Sequence, residues 1–240
     1  IRGVYKWIVL KTDLEFAVNL FILDDIAPGD FDTADPINRG PLDDSEYEAL
    51  CNACVCHRDR LMVQIAGETE ARNIDVRKIK LDDIDFENRE IELNNTKADR
   101  RYSAPIHDEL VVDIRYYIDH LRSEYLCRSD NEYLFPSPDG GKVSSEMFNE
   151  MVKEAAEKAG IQEIIGTSPD RRMDEDGAKR EYHRVTPHTL RHTFNDRMHK
   201  AGISAEERSN ALNQDSTEIN LKYYTVEKEE YKERIRNLLH

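Results

Sequence analysis

The chain has 240 residues, with 34 Lys+Arg against 49 Asp+Glu and a formal net charge of -15. That length suits one sizeable domain plus part of another. The acidity argues at first sight against a nucleic-acid partner, which is normally met by a basic surface, and against a polybasic membrane anchor. The longest apolar run, residues 16–23, is interrupted by Asn19 and is too short to span a bilayer, and no signal-peptide pattern opens the chain. Four cysteines, Cys51, Cys54, Cys56 and Cys127, are too few and too clustered for a secreted disulfide scaffold. The first three with His57 look like a metal tetrad in miniature, but no second cluster answers them. They read as buried or inert thiols, with no metal and no cofactor expected. The expectation is a soluble cytoplasmic protein. Arg outnumbers Lys 21 to 13, and Asp (24) nearly equals Glu (25). Short carboxylates with little lysine suit a salt-saturated cytoplasm, where self-repulsion is screened, and this points to a halophilic source, most simply an archaeon.

In chain order, residues 1–24 read as helix, with Val4, Trp7, Ile8, Val18, Leu20 and Phe21 giving apolar faces at helical spacing. A stretch rich in proline, glycine and aspartate follows, from Ala27-Pro28-Gly29-Asp30 to Gly40-Pro41-Leu42-Asp43, and reads as a linker over 27–43. Residues 44–80 read as two or three helices. Arg89-Glu90-Ile91-Glu92-Leu93 alternates as a half-buried strand does, and residues 101–106 return beside it until Pro105 ends the pairing. Residues 109–121 and 144–159 read as helices, the second capped by Gly160. Residues 163–182 are polar and aperiodic and read as a loop. Thr186 and Pro187 open a helix whose Leu190, Phe194 and Met198 form a stripe ending at Gly202. Ser204 with Glu207, then Asp215 with Glu218, are capping-box pairs. Residues 226–239 form a charged helix whose Tyr231, Ile235, Leu238 and Leu239 need a surface to pack on. The fold class is α+β, mostly helical with a small antiparallel sheet.

Chemistry concentrates in Thr186-Pro187-His188-Thr189-Leu190-Arg191-His192-Thr193-Phe194. On a helix, His188 and Arg191 share a face at i, i+3. They sit in its first turns, where backbone N–H groups and the helix dipole favour an anion. A guanidinium and a titratable imidazole there make a phosphate site. His192 reads as a structural neighbour held within the helix packing.

This box resembles the His-x-x-Arg box of the tyrosine recombinases, the family of phage-type integrases and chromosome-dimer resolvases. The likeness continues in register. Thr69-Glu70-Ala71-Arg72-Asn73-Ile74-Asp75, running on to Leu81-Asp82-Asp83-Ile84-Asp85-Phe86, is similar to the family's first arginine box, with Asp75 where the family usually has glutamate. Thr96-Lys97-Ala98-Asp99-Arg100-Arg101 is similar to its lysine hairpin, and Tyr133-Leu134-Phe135-Pro136 to its "LF" stretch. Leu221-Lys222-Tyr223-Tyr224-Thr225 resembles the nucleophile segment, nine residues on from Gln214.

The resemblance implies a tyrosine-recombinase catalytic fold over 44–240, preceded in 1–26 by the last helix of a truncated DNA-clamping domain. It also implies a site-specific recombinase or integrase that cuts and rejoins double-stranded DNA through a 3'-phosphotyrosyl link, without metal or ATP. Under it Arg72 and Arg191 grip the phosphate, Tyr223 attacks, His188 is base or hydrogen-bonding partner, and Lys97 is the acid to the leaving 5'-oxygen. Gln214 stands where the family carries histidine or tryptophan, and Asn213 replaces a glycine. Gln214 would be a neutral donor to a phosphate oxygen. A dimer or tetramer on DNA is implied, with the C-terminal helix reaching a neighbour or packing in cis. A DNA-binding relative that no longer cuts, and a type IB-like topoisomerase, remain alternatives, as does Tyr224 for Tyr223.

The charge is uneven. From 177 to 200, six bases meet two acids with four histidines added, whereas 22–52 holds nine acids and one base. A local cationic groove within an acidic surface is therefore expected, and the acidity no longer excludes DNA.

Overall fold

The computed structural model describes residues 39–95, 100–126, 130–169, 179–204, 207 and 225–238. The chain divides into two compact units, Ile1–Asn38 and Arg39–His240, and every described residue lies in the second. The expected N-terminal helix, the capping pair Asp215 and Glu218, and Cys127 lie outside the described residues.

Helix α1 (Asp44–Ala53) starts on a capping box. The Asp43 carboxylate accepts from Glu46 N–H at 2.8 Å, and the Glu46 carboxylate accepts from Asp43 N–H at 3.1 Å. Helix α2 (His57–Glu68) is buried on nearly all sides from Leu61 to Glu68, so it forms the centre of the body. Its Gly67 packs against the Tyr47 ring, since an added Cβ would stand 2.5 Å from Tyr47 Cε2 and the ring would have to move. A short helix α3 (Asn73–Lys78) follows, so residues 44–80 hold three helices, the upper of the two counts that the periodicity allows.

Strands β1 (Ile84–Asp85), β2 (Glu90–Asn95) and β3 (Arg100–Pro105) form one antiparallel sheet in that order. The pairs Ile91↔Ala104 and Leu93↔Tyr102 face the core and are buried, while Glu92 is exposed on the other face, so the alternation seen in sequence is a true period of two. Helix α4 (Asp108–Tyr116) runs on through a π turn at Tyr117–Leu121. Its N-cap is His107, whose Nδ1 accepts from Leu110 N–H at 3.3 Å. Nε2 of the same ring lies 2.9 Å from a Glu68 carboxylate oxygen. Burial, the largest single effect, lowers the imidazole's pKa, but the Glu68 bond and the charges of Glu68, Glu109 and Asp113 outweigh it and leave it raised.

Helix α5 (Ser145–Lys158) is capped by the Ser144 hydroxyl and buries Phe148, Val152, Ala155 and Ala156. Gly160 follows at φ 72°, the left-handed closure that glycine enters without steric cost. Residues 163–182, expected as an aperiodic loop, instead contain a second antiparallel pair, β4 (Ile164–Pro169) and β5 (Lys179–His183). The pairing is carried by backbone bonds between largely polar strands, so no hydrophobic alternation announces it. The Gln162 side chain closes its base, donating to Val185 C=O at 3.0 Å and accepting from Val185 N–H at 2.9 Å.

Helix α6 (Pro187–Lys200) carries the predicted stripe. Leu190 joins the main core; Phe194 and Met198 form a smaller cluster with Ile203 and with Ile235 of α7 (Thr225–Leu238). Lys232 and Arg236 of α7 both approach the Glu90 carboxylate, and Arg236 also donates to Asn88 C=O at 3.0 Å. The architecture is mostly helical with small antiparallel sheets. Among the described residues, no helix is long and apolar enough to cross a membrane.

Candidate functional site

A cleft of about 730 Å³ opens where α3, α5 and α6 begin, lined by residues including Arg72, Asn73, Arg77, Ser145, Asn149, Pro187, His188 and Arg191. Asn73, Ser145 and Pro187 are the first residues of those three helices. Arg72, His188 and Arg191, nominated from distant parts of the sequence, therefore line one cavity. Lys97, Gln214, Tyr223 and Tyr224 lie outside the described residues.

Arg72 occupies the N-cap of α3. Its N–H donates to the Asp75 carboxylate at 3.3 Å, and its guanidinium stands 3.9 Å from the same carboxylate, whose side chain is fully buried. The Arg72 side chain is one-third exposed and lines the cleft.

Pro187 sits at the first position of α6, where its missing N–H costs nothing. Thr186 N–H donates to the Thr189 hydroxyl at 3.1 Å, and that hydroxyl donates to Arg184 C=O at 2.6 Å. The Thr193 hydroxyl, one turn on, accepts from Leu42 N–H at 3.0 Å and ties α6 to the chain just ahead of α1. These bonds fix the helix end that presents His188 and Arg191.

His188 is exposed, and its pKa is lowered from the ordinary 6.5. Partial desolvation is the largest cause, followed by His192, Arg39, Arg191 and Arg72. The neutral imidazole is favoured, and it can accept a proton or a hydrogen bond. His192 was expected within the helix packing. It is exposed instead, its ring edge-on to His188 with centroids 4.4 Å apart.

Arg191 donates through Nη1 to Glu70 C=O at 2.5 Å and through Nη2 to the Glu70 carboxylate at 2.8 Å. Near the two arginines lies Tyr102, whose buried hydroxyl has no hydrogen-bond partner among the described residues. Burial raises its pKa, and the Asp75 and Glu70 charges raise it further. Among the lining residues, Arg77 donates to Asn73 Oδ1 at 2.6 Å and to Val143 C=O at 3.1 Å. The sequence singled out neither Glu70 nor Arg77 for a role. An arginine on a helix surface and a glutamate in a turn carry no local signal of what they face.

The cationic groove expected from 177–200 needs correction. Arg184 pairs with Glu46 at 2.7 Å, Arg197 with Asp44 at 3.0 Å, Lys200 with Asp196 at 2.7 Å and Arg191 with Glu70 at 2.8 Å. Four of the six bases counted there are compensated in the fold. Cys51 and Cys54 fit the expectation of unreactive thiols: Cys51 is buried, and burial pushes the pKa of both up to about 12. Helix α1 stops at Ala53, with Cys54 as its C-cap.

The sequence profile described as the phage integrase family matches residues 41–230. Tyrosine recombinase XerA of Pyrococcus furiosus is 28% identical over 149 residues, which is 61% of this chain and 42% of that protein. Tyrosine recombinase XerD of Staphylococcus saprophyticus is 25% identical over 138 residues, covering 58% of this chain and 40% of the relative. The chain thus spans about two-fifths of the curated relatives it matches. Among solved structures, a XerA recombinase superposes with a TM-score of 0.56 at 24% identity, covering 72% of this chain and 56% of the other. The integrase from mycobacterium phage Brujita gives 0.58 at 19%, covering 86% and 60%. A XerH site-specific recombinase bound to its difH substrate gives 0.56 at 17%, covering 77% and 50%.

Proposed function

The chain belongs to the phage integrase family, and from that premise we propose that it is a site-specific recombinase that breaks and rejoins double-stranded DNA through a 3'-phosphotyrosyl intermediate. The observation that carries this reading is the convergence of Arg72, His188 and Arg191 on one cleft at the start of three helices.

Attack on a phosphodiester builds a second negative charge on the non-bridging oxygens. Two guanidiniums that line the same cleft can each grip those oxygens, and one strong donor contributes roughly 10²–10³ in rate. Tyr223 supplies the nucleophile; its hydroxyl must lose a proton whose ordinary pKa is about 10. The phenolate oxygen forms the bond to phosphorus as the bond to the 5'-oxygen breaks. His188, held neutral, assists at the tyrosine or the phosphate, Lys97 protonates the leaving 5'-oxygen, and Gln214 donates a neutral hydrogen bond. The 5'-hydroxyl of another strand reverses the step and completes the exchange. The chemistry of this donor set calls for no metal or nucleotide cofactor.

On this reading residues 1–26 end a DNA-clamping domain, 27–43 link it, and 44–240 are catalytic, working in the cytoplasm as a dimer or tetramer on DNA. The XerA, XerD and XerH relatives, described as recombinases, support the activity class. The composition supports a halophilic archaeal host. Stability already maximal at low KCl would refute that last point.

The test uses suicide duplexes built from DNA flanking the genetic element. The wild type should form a covalent adduct that Tyr223→Phe loses and Tyr224→Phe keeps. DNA binding of equal strength with no adduct from either protein would identify a silent relative. Relaxation of supercoils without pairing of two duplexes would identify a topoisomerase.

A further inference from the structure

The connection from α2 to α3 passes through Thr69, Glu70 and Ala71, and Glu70 adopts φ 57°. A residue with a Cβ enters that left-handed region only at a steric cost, and glycine would enter it freely. Glu70 is also buried, at 5% exposure, an unfavourable place for a carboxylate unless it is partnered. Strained backbone and a buried charge thus coincide at one residue, and both are directed at Arg191. The Glu70 carbonyl accepts from Nη1 at 2.5 Å, and its carboxylate accepts from Nη2 at 2.8 Å.

A glycine here could supply the carbonyl but not the second acceptor. Two residues further on, Arg72 caps α3. The same short connection therefore places one guanidinium by chain continuity and grips the other by two hydrogen bonds across a separation of 121 residues. We propose that Glu70 is the positioning residue of Arg191, fixing its guanidinium plane relative to Arg72 so that both meet one phosphate. This rests on reading the cleft as the phosphoryl-transfer site.

Two of the five guanidinium N–H groups go to Glu70, leaving three for a ligand. The carboxylate also offsets part of the charge that would attract DNA before reaction. The signature is therefore a split between binding and rate. Glu70→Gly relieves the backbone strain and removes the grip, so its melting temperature should hold or rise and DNA affinity should hold or tighten. Cleavage should nevertheless slow by about 10²-fold, the cost of misplacing a catalytic group by an ångström. Glu70→Gln keeps an acceptor at the same reach and should recover to within about fivefold of wild type, the loss of charge assistance being the smaller effect.

The probe is a nicked duplex pool of random sequence enriched by the wild type for covalent adducts, read by single-turnover adduct formation. Guanidinium NMR on the arginine-labelled protein is the second readout. In the wild type the Arg191 Nη protons should be separately resolved, because the two bonds to Glu70 hinder rotation about Cζ–N, and Glu70→Gly should merge them. Glu70→Gly cleaving as fast as wild type or faster would overturn the proposal and mark the carboxylate as a competing anion. An unchanged guanidinium signal would overturn the grip itself. A wild type that yields no adduct would count against the recombinase reading, and the NMR arm would still decide whether Glu70 holds Arg191.

Discussion

Arg191→Lys is the substitution that most directly separates orientation from charge. The cation survives, but the planar fork does not. In the structure that fork spends two N–H groups on Glu70, at 2.5 and 2.8 Å, and keeps the rest of its edge for the cleft. A lysine ammonium is a point donor on a different stem, and it cannot hold both Glu70 acceptors while facing a phosphate. Losing one strong transition-state donor corresponds to roughly 10²–10³ in rate, or about 2.7–4 kcal/mol. Stability should suffer less. The Arg191 and Glu70 side chains are 18% and 7% exposed, so a partly unpaired Glu70 costs about 1 kcal/mol, the low end for a buried acceptor that retains one partner. For a body of this size that is about 2–4 °C in melting temperature, too little to deplete the folded protein at 25 °C. The assay is single-turnover adduct formation on a suicide duplex. Arg197→Lys serves as control, since Arg197 lies on the same helix but pairs with Asp44 and covers the Tyr47 ring at 4.2 Å. The reasoning fails if Arg191→Lys cleaves within about threefold of wild type, or if Arg197→Lys slows cleavage equally.

Gly67→Ala should destabilise the fold by about 1 kcal/mol. The usual helix gain of ~1 kcal/mol is outweighed by overpacking of 1–3 kcal/mol against Tyr47, whose Cε2 would lie 2.5 Å from the new Cβ. Denaturant midpoints at constant m would check this, and a stabilised variant would contradict it. The His188 pKa lies below 6.5, so the neutral base persists as pH falls through the ordinary imidazole range. The acid limb of kcat/KM should therefore fall below 6.5 and move up in Arg39→Gln, which removes one of the cations that lower it. The unfolded chain takes up this proton first, so His188 also lends stability that weakens as pH drops. An NMR titration placing free His188 above 6.5 would refute the assignment. Ile235→Ala empties the small cluster formed with Phe194, Met198 and Ile203, costing about 2 kcal/mol. Helix α7 begins two residues after Tyr223, so faster hydrogen exchange in α7 should accompany slower adduct formation; unchanged exchange would show that α7 is held by other contacts.

Local chemistry was legible wherever one physical rule dominates. Thr186 and Pro187 start α6 because a cap and a fixed φ leave few alternatives, and Leu190, Phe194 and Met198 follow from the helical period. The β2–β3 register follows from alternation against a core. The β4–β5 pair escaped because its stability lies in backbone bonds and in the Gln162 clasp, which leave no period in the side chains. The cleft itself was legible only through resemblance: spacing alone gives no reason for Arg72 to meet Arg191. Glu70 was invisible for a sharper reason. Propensity assigns a left-handed position to glycine or asparagine, and here a distant guanidinium overrules propensity.

The compensated arginines change what the net charge of -15 says about DNA. Counted along the sequence, residues 177–200 form a basic island, and binding would be an affair of charge density. In the fold, Glu46, Asp44, Asp196 and Glu70 each reach one of those bases, and Asp75 stands behind Arg72. Such pairing weakens the long-range field that draws a polyanion inward and reduces the counterions released on contact. It does not remove donors: each guanidinium keeps N–H groups that its carboxylate leaves unused, and the carboxylate fixes where they point. On the proposed reading, phosphate is recognised in this cleft by direction, from two braced guanidiniums and the first turn of α6, more than by accumulated positive charge. An acidic protein can hold such a site because its arginines are positioned by the same carboxylates that make it acidic.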